Sequence, residues 1–287
     1  MDSVSAVPGE LKQITVNGVR LTYVDEGEGL PVVFIHGSFS DHRIWEMQRE
    51  AVASDYRYIA MDLRYFGNTP WPDEGENFSP VNHVADVAAF LRVLRLEKAV
   101  LAGRSYGCVI ALAVAVQHPE LVAGLFLNEP PLPSLLNDRI MKEAIVPEMK
   151  SFAALAVAVK NEKPLSALKI FYDWVIDIPG SFDKLPAPAK TILLENARTV
   201  PVHFSAPALT LTCEEVGQIK SPVTITVGEL TRPFFKILAQ AAHNCLPQSR
   251  IVRITRARHG SPSEQPLAFN EALLAFLREI KKGGIWR

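Results

Sequence analysis

Short, wholly apolar runs alternate along the chain with longer segments in which apolar residues recur every three or four positions. The runs predict buried β-strands, and the recurring positions predict helices that bury one face. We expect strands at residues 31–35, 58–61, 99–102, 122–127, 222–227 and 250–255. We expect helices at residues 82–94, 109–115, 234–245 and 268–280. Strands that alternate with helices indicate an α/β fold whose mostly parallel sheet is covered on both faces.

The alternation is different at the start of the chain. Residues 13–16 and 20–24 are rich in β-prone side chains and flank Asn17-Gly18. An Asn-Gly pair favours a tight hairpin because both turn residues accept positive φ. The sequence therefore predicts a pair of antiparallel strands before the parallel part of the sheet.

A second change lies between residues 132 and 219, where strands stop and apolar helical segments are interrupted by prolines. We interpret this stretch as a helical cap over the carboxyl edge of the sheet, where open α/β sheets bind ligands. The predicted organisation is a core built from residues 1–131 and 220–287, with the cap formed by residues 132–219.

Composition narrows the class of partner. Of the 287 residues, 48% are hydrophobic and 21% are charged, as in ordinary globular proteins. The net charge is −1 without a basic run, so nucleic acid and anionic membranes are poor candidate partners. No apolar run reaches the roughly 18 residues of a membrane-spanning helix, and Met1–Lys12 lacks the apolar segment of a signal peptide. We expect a cytoplasmic protein that binds a small molecule, as a monomer or a homodimer.

The cysteines and histidines give no sign of a metal site. Cys108, Cys213 and Cys245 are far apart and form no C-x-x-C pair, so we expect small buried residues in a reducing compartment. The histidines form no i, i+4 pair, and no glycine-rich phosphate loop is followed by lysine. The sequence predicts neither a metal nor a cofactor.

The segment Gly103-Arg104-Ser105-Tyr106-Gly107 lies between a predicted strand and a predicted helix. In this context a G-x-S-x-G turn is a nucleophile elbow, which holds its serine in a strained conformation at the sheet edge. Glycines are needed because side chains at those positions would collide with neighbouring backbone. Ser105 is therefore the candidate nucleophile, and it requires a base that an acid orients. The Arg104 side chain either reaches a substrate carboxylate, or packs beneath the elbow or pairs with a nearby acid.

With these features, the chain from Leu21 to Leu277 resembles the α/β-hydrolase superfamily, in its esterase, lactonase and dehalogenase-like branch. The resemblance implies an eight-stranded, mostly parallel sheet with a helical cap. It also implies that the catalytic residues follow the chain order serine, acid, histidine. His259 comes directly after the last predicted strand and is the expected base.

The identity of the acid departs from the common family pattern. Many members place an aspartate two residues beyond a Gly-Glu pair, and here Gly228-Glu229 is followed by Thr231 at that position. A second family arrangement places the acid after the strand that follows the elbow helix, where this chain has Glu129. We predict Glu129 as the acid, with Glu229 as the alternative.

The segment His36-Gly37-Ser38 matches the family's His-Gly-x loop. The resemblance implies an oxyanion hole formed by the backbone N–H groups of Ser38 and Tyr106. Gly37 would allow close backbone approach and is a candidate substrate contact, and His36 would brace the loop rather than act in catalysis.

The aromatic residues Phe39, Phe171 and Trp174 are candidate substrate contacts or core residues. Together these features predict a serine hydrolase of a small hydrophobic ester or lactone. The same triad would serve a C–C bond hydrolase or an acyltransferase using an alcohol or peroxide, and a ligand-binding, receptor-like protein of low turnover is a further alternative. A serine at the elbow argues against dehalogenase and epoxide hydrolase chemistry, which use aspartate there.

Overall fold

The computed structural model describes residues 9–284, so most of Met1–Lys12, where we expect no signal peptide, lies outside the described residues. The sheet has eight strands in the order β1-β2-β4-β3-β5-β6-β7-β8. Its strands are β1 (Leu11–Val16), β2 (Val19–Glu26), β3 (Pro31–Ile35), β4 (Arg57–Met61), β5 (Ala99–Arg104), β6 (Val122–Asn128), β7 (Val223–Gly228) and β8 (Ser249–Ile254). The predicted strands and the initial hairpin are confirmed.

Strand direction determines where polar residues meet. β1 pairs with β2 and β2 with β4 in antiparallel fashion, whereas all pairs from β4 across to β8 are parallel. In the register Ile35 lies opposite Gly103, and Arg104 lies opposite Asn128. The residues that directly follow β3, β5 and β6 therefore emerge side by side at one edge of the sheet.

Helices cover both faces of the sheet, which confirms the predicted α/β class. They are α1 (Glu46–Ala53), α2 (Pro80–Val93), α3 (Tyr106–Gln117), α4 (Arg139–Ala144), α5 (Val146–Lys160), α6 (Pro164–Ile176), α7 (Ala187–Glu195), α8 (Val200–Ser205), α9 (Cys213–Gly217), α10 (Pro233–Cys245), α11 (Ser261–Glu264) and α12 (Pro266–Lys282). One apolar cluster joins α2, α3 and α10 to the sheet, and a second joins α1 and α12 to the opposite face. Between residues 9 and 284, no helix has both the length and the apolarity to cross a membrane.

The helices between β6 and β7 are fastened to loops at the carboxyl edge of the sheet. The buried Asn196 side chain donates to Asp41 (2.7 Å) and accepts from the N–H of Gly67 (2.8 Å). Next to it, Arg43 donates to Glu195 at 2.5 Å. On the other side of this segment, Arg232 pairs with Glu148. These bonds cross between distant parts of the chain, so they hold α5 and the end of α7 over the sheet edge.

The cysteine prediction is wrong for two of the three residues. Cys213 and Cys245 form a disulfide between α9 and the end of α10, across a sequence separation of 32 residues. Cys108 is free and buried, as expected. Spacing along the chain reveals local motifs but not pairs that tertiary packing brings together. The argument for a reducing compartment, which rested on free cysteines, falls with this pair.

Candidate active site

Ser105 lies between β5 and α3 in a backbone conformation that non-glycine residues rarely adopt, with φ 51° and ψ −117°. A Cβ on Gly107 would lie 2.2 Å from the carbonyl oxygen of Ile35, and one on Gly103 would lie 2.7 Å from that of Gly107. The Ser105 N–H donates to the carbonyl of Asn128 at 2.9 Å. The neighbouring strands and the two glycines thus hold the turn in its strained form.

A buried carboxylate holds the histidine that follows β8. His259 Nδ1 lies 2.5 Å from Oε2 of Glu129, which comes directly after β6. The Glu129 carboxylate also accepts from the Gly228 N–H (2.8 Å) and the Thr231 hydroxyl (2.9 Å). The threonine at the common acid position therefore contacts the glutamate that takes its place. Glu229, by contrast, is exposed and accepts from the N–H of Arg256, so the structure brings Glu129 and not Glu229 to His259.

Two further residues fix His259, and the sequence analysis identified neither. The Phe235 ring stacks on the imidazole with ring centroids 3.9 Å apart. Asn128 donates to the His259 carbonyl at 3.3 Å. Burial lowers the pKa of His259, which the Glu129 hydrogen bond partly opposes. The ring is therefore neutral near pH 7. Its Nδ1–H donates a hydrogen bond to Glu129, so Nε2 is the nitrogen that can accept a proton.

The backbone N–H groups predicted to form an oxyanion hole lie on the two loops beside Ser105. Tyr106 is the first residue of α3, where N–H groups have no intrahelical acceptor and the helix dipole favours negative charge. Ser38 follows β3, and both residues line the same cavity as Ser105. Both residues thus lie at the cavity that Ser105 lines, and the oxyanion hole formed by their N–H groups stays a prediction.

His36 joins two loops beneath this site. Its Nδ1 lies 2.8 Å from the Gly37 carbonyl, and its Nε2 accepts from the Leu63 N–H at 3.0 Å. The ring is fully buried, and burial lowers its pKa. Both nitrogens are therefore engaged in holding backbone, away from the cavity.

A cavity of about 450 Å³ opens between the sheet edge and the helical segment. Ser105 is on its wall with Phe171 and Trp174, in a lining that is mostly apolar. Gly37 and Phe39 are absent from the described lining, although we expected both at the substrate. Phe39 is fully buried under Phe171, with ring centroids 4.8 Å apart, so it supports the wall from behind.

Histidine 203 is a polar residue of the cavity that the sequence did not indicate. It lies on α8, and its Nε2 is 3.2 Å from the Ser38 hydroxyl. Its Nδ1 is buried without a hydrogen-bond partner among the described residues, and burial lowers its pKa to about 4. A lone histidine in a proline-rich helical segment gives no signal of this contact, which depends on how α8 docks.

Asp41, His42 and Asp62 place potential ligand atoms within 4.8 Å of one another. These atoms already have protein partners, because His42 Nδ1 bonds Asp62 (2.7 Å) and Asp41 holds Arg43 (2.7 Å). The charged groups of this cluster are therefore paired with protein partners, and the cluster anchors the loop that follows β3.

Comparisons with known proteins agree with this geometry. A family profile described as alpha/beta hydrolase fold matches residues 31–200. A Bacillus subtilis protein named putative 2-succinyl-6-hydroxy-2,4-cyclohexadiene-1-carboxylate synthase is 30% identical over 93% of this chain and 98% of its own length. Among solved structures, an esterase from Exiguobacterium antarcticum has a TM-score of 0.75 at 22% identity, covering 94% of this chain and all of its own (100%). An enol-lactonase from Burkholderia xenovorans LB400 also has a TM-score of 0.75, at 19% identity, covering 93% of this chain and 100% of its own. With its eight-stranded sheet, its strained serine turn and these matches, the chain belongs to the alpha/beta hydrolase family.

Proposed function

We propose that the protein is a serine hydrolase that cleaves a small, hydrophobic ester or lactone through an acyl-enzyme on Ser105. The observation that carries this proposal is the 2.5 Å contact between Glu129 and His259, at the same edge of the sheet as a strained serine on a cavity wall. A carboxylate–histidine pair beside such a serine is the arrangement that activates a hydroxyl nucleophile.

In the proposed reaction, the Ser105 hydroxyl oxygen attacks the substrate carbonyl carbon while its proton passes to Nε2 of His259. The negative charge on the carbonyl oxygen is stabilised by the N–H groups of Ser38 and Tyr106. Collapse of this intermediate breaks the bond to the alcohol oxygen, which takes the proton from His259. Water then repeats the sequence on the acyl-enzyme, releasing the carboxylic acid and restoring Ser105.

The cavity supports a substrate with an apolar body. Its volume of about 450 Å³ suits a small molecule, and Phe152, Phe204 and Phe234 contribute to its wall. Polar groups on the wall are few, and they include Ser38, Ser105 and His203. Burial of apolar substrate surface would therefore supply the affinity, while the reacting group is oriented by these polar groups.

A fluorophosphonate probe tests the nucleophile directly. We expect stoichiometric labelling of Ser105, because the activated hydroxyl attacks phosphorus as it would attack a carbonyl. The label is located by peptide mass spectrometry, with heat-denatured protein as the control for nonspecific reaction. Labelling elsewhere, or none on the native protein, would contradict the proposal. A parallel screen of ester, lactone and 1,5-diketone substrates separates ester hydrolysis from C–C bond hydrolysis.

The pH dependence should reflect the environment of His259. Its pKa lies below the ordinary 6.5 because burial disfavours the imidazolium form, and the base acts in its neutral form. We expect the acidic limb of kcat/KM for a neutral 4-nitrophenyl ester to be centred below pH 6.5, where His259 becomes protonated. Circular dichroism over the same range checks that the protein stays folded. An acidic limb centred at or above 6.5 would contradict this environment.

A further inference from the structure

The guanidinium of Arg104, the residue before Ser105, has no protein partner in the part of the chain that the structure describes. Its Nε atom is buried and makes no hydrogen bond, and no ion pair involves its other nitrogens. Arg104 ends β5 and is partly buried. Arginine presents five donors in a rigid fork, so an enclosed guanidinium without acceptors is unusual.

Other partly buried arginines of this protein show the ordinary arrangement. Arg64 donates two bonds of 2.8 Å to Asp86, and Arg57 donates two bonds of 2.9 Å to Asp25. Arg232 pairs with Glu148 and also lies over the Trp174 ring. Arg104 differs from these arginines in being partly buried without an acceptor, and it is the one that lies beside the nucleophile.

The carboxylates around Arg104 bond to other groups of the protein. Its electrostatic neighbours include the Tyr172 hydroxyl on α6 and the carboxylates of Glu264 and Glu129. Glu129 accepts bonds on both oxygens from Gly228, Thr231 and His259. The two oxygens of Glu264 accept from backbone N–H groups at 2.6 and 3.2 Å, which shapes the loop that carries His259. Neither carboxylate forms an ion pair with the guanidinium in the described part of the chain.

We propose that Arg104 recognises an anionic group of the substrate, so that the hydrolase acts on esters or lactones whose acyl part carries a carboxylate near the cleaved bond. This inference rests on the proposed serine hydrolase function and refines its substrate class. Arg104 is not among the described lining residues of the cavity, but it is bonded directly to Ser105, which is. A carboxylate close to the cleaved bond would complete the fork of Arg104, while the apolar part of the substrate occupies the cavity. Burial lowers the pKa of Arg104, and a bound anion removes that disadvantage of the charged form.

Matched pairs of 4-nitrophenyl esters test the proposal. The anionic members are the hydrogen succinate, glutarate and adipate, and in each neutral partner an isopropyl group replaces the carboxylate. Spontaneous hydrolysis is subtracted. For at least one chain length we expect wild type to favour the anionic ester about tenfold in kcat/KM, and Arg104→Met to lower that ratio about 100-fold. Arg104→Lys should retain part of the preference, because it keeps the charge but loses the fork.

The ratio within a pair cancels any general damage to the site. Arg258→Met is the matched control, since Arg258 precedes His259 as Arg104 precedes Ser105 but donates to the Leu230 carbonyl at 3.0 Å. Its ratio should stay within about twofold of wild type. A wild-type ratio below one at every length overturns the proposal, as does an equal loss for both esters in Arg104→Met. A shift of the acidic pH limb with an unchanged ratio also overturns it, because Arg104 would then act through His259.

A binding measurement keeps the test independent of turnover. Glutarate or adipate should raise the Tm of wild type by about 2–5 °C at saturating concentration and leave that of Arg104→Met unchanged. The neutral 1,5-pentanediol should have no such effect on either protein. Equal shifts in both proteins, or none in wild type, overturn the anion site. If the anion site fails but Ser105→Ala abolishes hydrolysis of the neutral esters, the proposed serine hydrolase function is still supported. If the fluorophosphonate does not label Ser105, the serine hydrolase function itself is contradicted.

Discussion

Replacing Ser105 by Ala is expected to lower kcat for the best ester substrate by about 10⁶-fold, the size of loss that serine hydrolases show without their nucleophile. The change removes one oxygen atom. It leaves the hydrogen bond from the 105 N–H to Asn128 and the Glu129–His259 pair in place. Folding should therefore be preserved, and the loss would report the chemical step. The measurement is kcat from initial rates, together with the Tm of each protein.

Ser38→Ala is the matched control for this prediction. Ser38 is a second serine on the cavity wall, and its proposed role belongs to its backbone N–H. Loss of its hydroxyl breaks the 3.2 Å contact with His203 and should cost less than about tenfold in kcat. Fluorophosphonate treatment of the Ser105→Ala preparation inactivates any contaminating serine hydrolase. If the treated variant still had more than about one per cent of the activity of untreated wild type, an acyl-enzyme on Ser105 would be the wrong mechanism.

The parallel sheet could be predicted because its strands are buried on both faces. Residues 31–35 are apolar throughout, and all five are buried in β3. The elbow could be predicted as well, because a Cβ atom at Gly103 or Gly107 would collide with the backbone of neighbouring segments. Such features depend on residues close in sequence, or on strand packing that leaves a continuous apolar run. The short helix α1 was missed, because its apolar residues are few and only its buried side chains Gln48 and Val52 face the core.

What the sequence could not supply are contacts between segments that are distant in the chain. The stacking of Phe235 on His259 joins α10 to the loop after β8, and the His203–Ser38 contact spans 165 residues. The Cys213–Cys245 disulfide is of the same kind. The unpaired state of Arg104 is harder still to predict, because it depends on neighbouring acids bonding to other groups instead. One sequence reveals which residues can donate or accept, and packing decides which of them are left free.

Replacing Glu129 by Gln is expected to lower kcat about 10⁴-fold, whereas Glu229→Gln should change it less than about threefold. The Gly228 N–H faces Oε1 of Glu129, so a glutamine must place its carbonyl oxygen there. Its NH₂ group then faces Nδ1 of His259 and Thr231, where a donor meets the imidazole. The ring is forced into the tautomer that carries its proton on Nε2, and it can no longer accept the Ser105 proton.

The two variants decide which glutamate is the acid, because both replace a carboxylate by an amide and differ only in position. Glu229 is exposed and holds only the Arg256 N–H, at 2.8 Å, so its substitution perturbs a surface turn. If the wrong tautomer of His259 causes the loss, fluorophosphonate should label Ser105 more slowly in Glu129→Gln, in parallel with the fall in kcat. The Tm of this variant should change little. Loss of activity in Glu229→Gln with near-normal Glu129→Gln would move the acid to the strand end beside Thr231. Equal, small effects in both variants would mean that His259 needs no carboxylate to orient it.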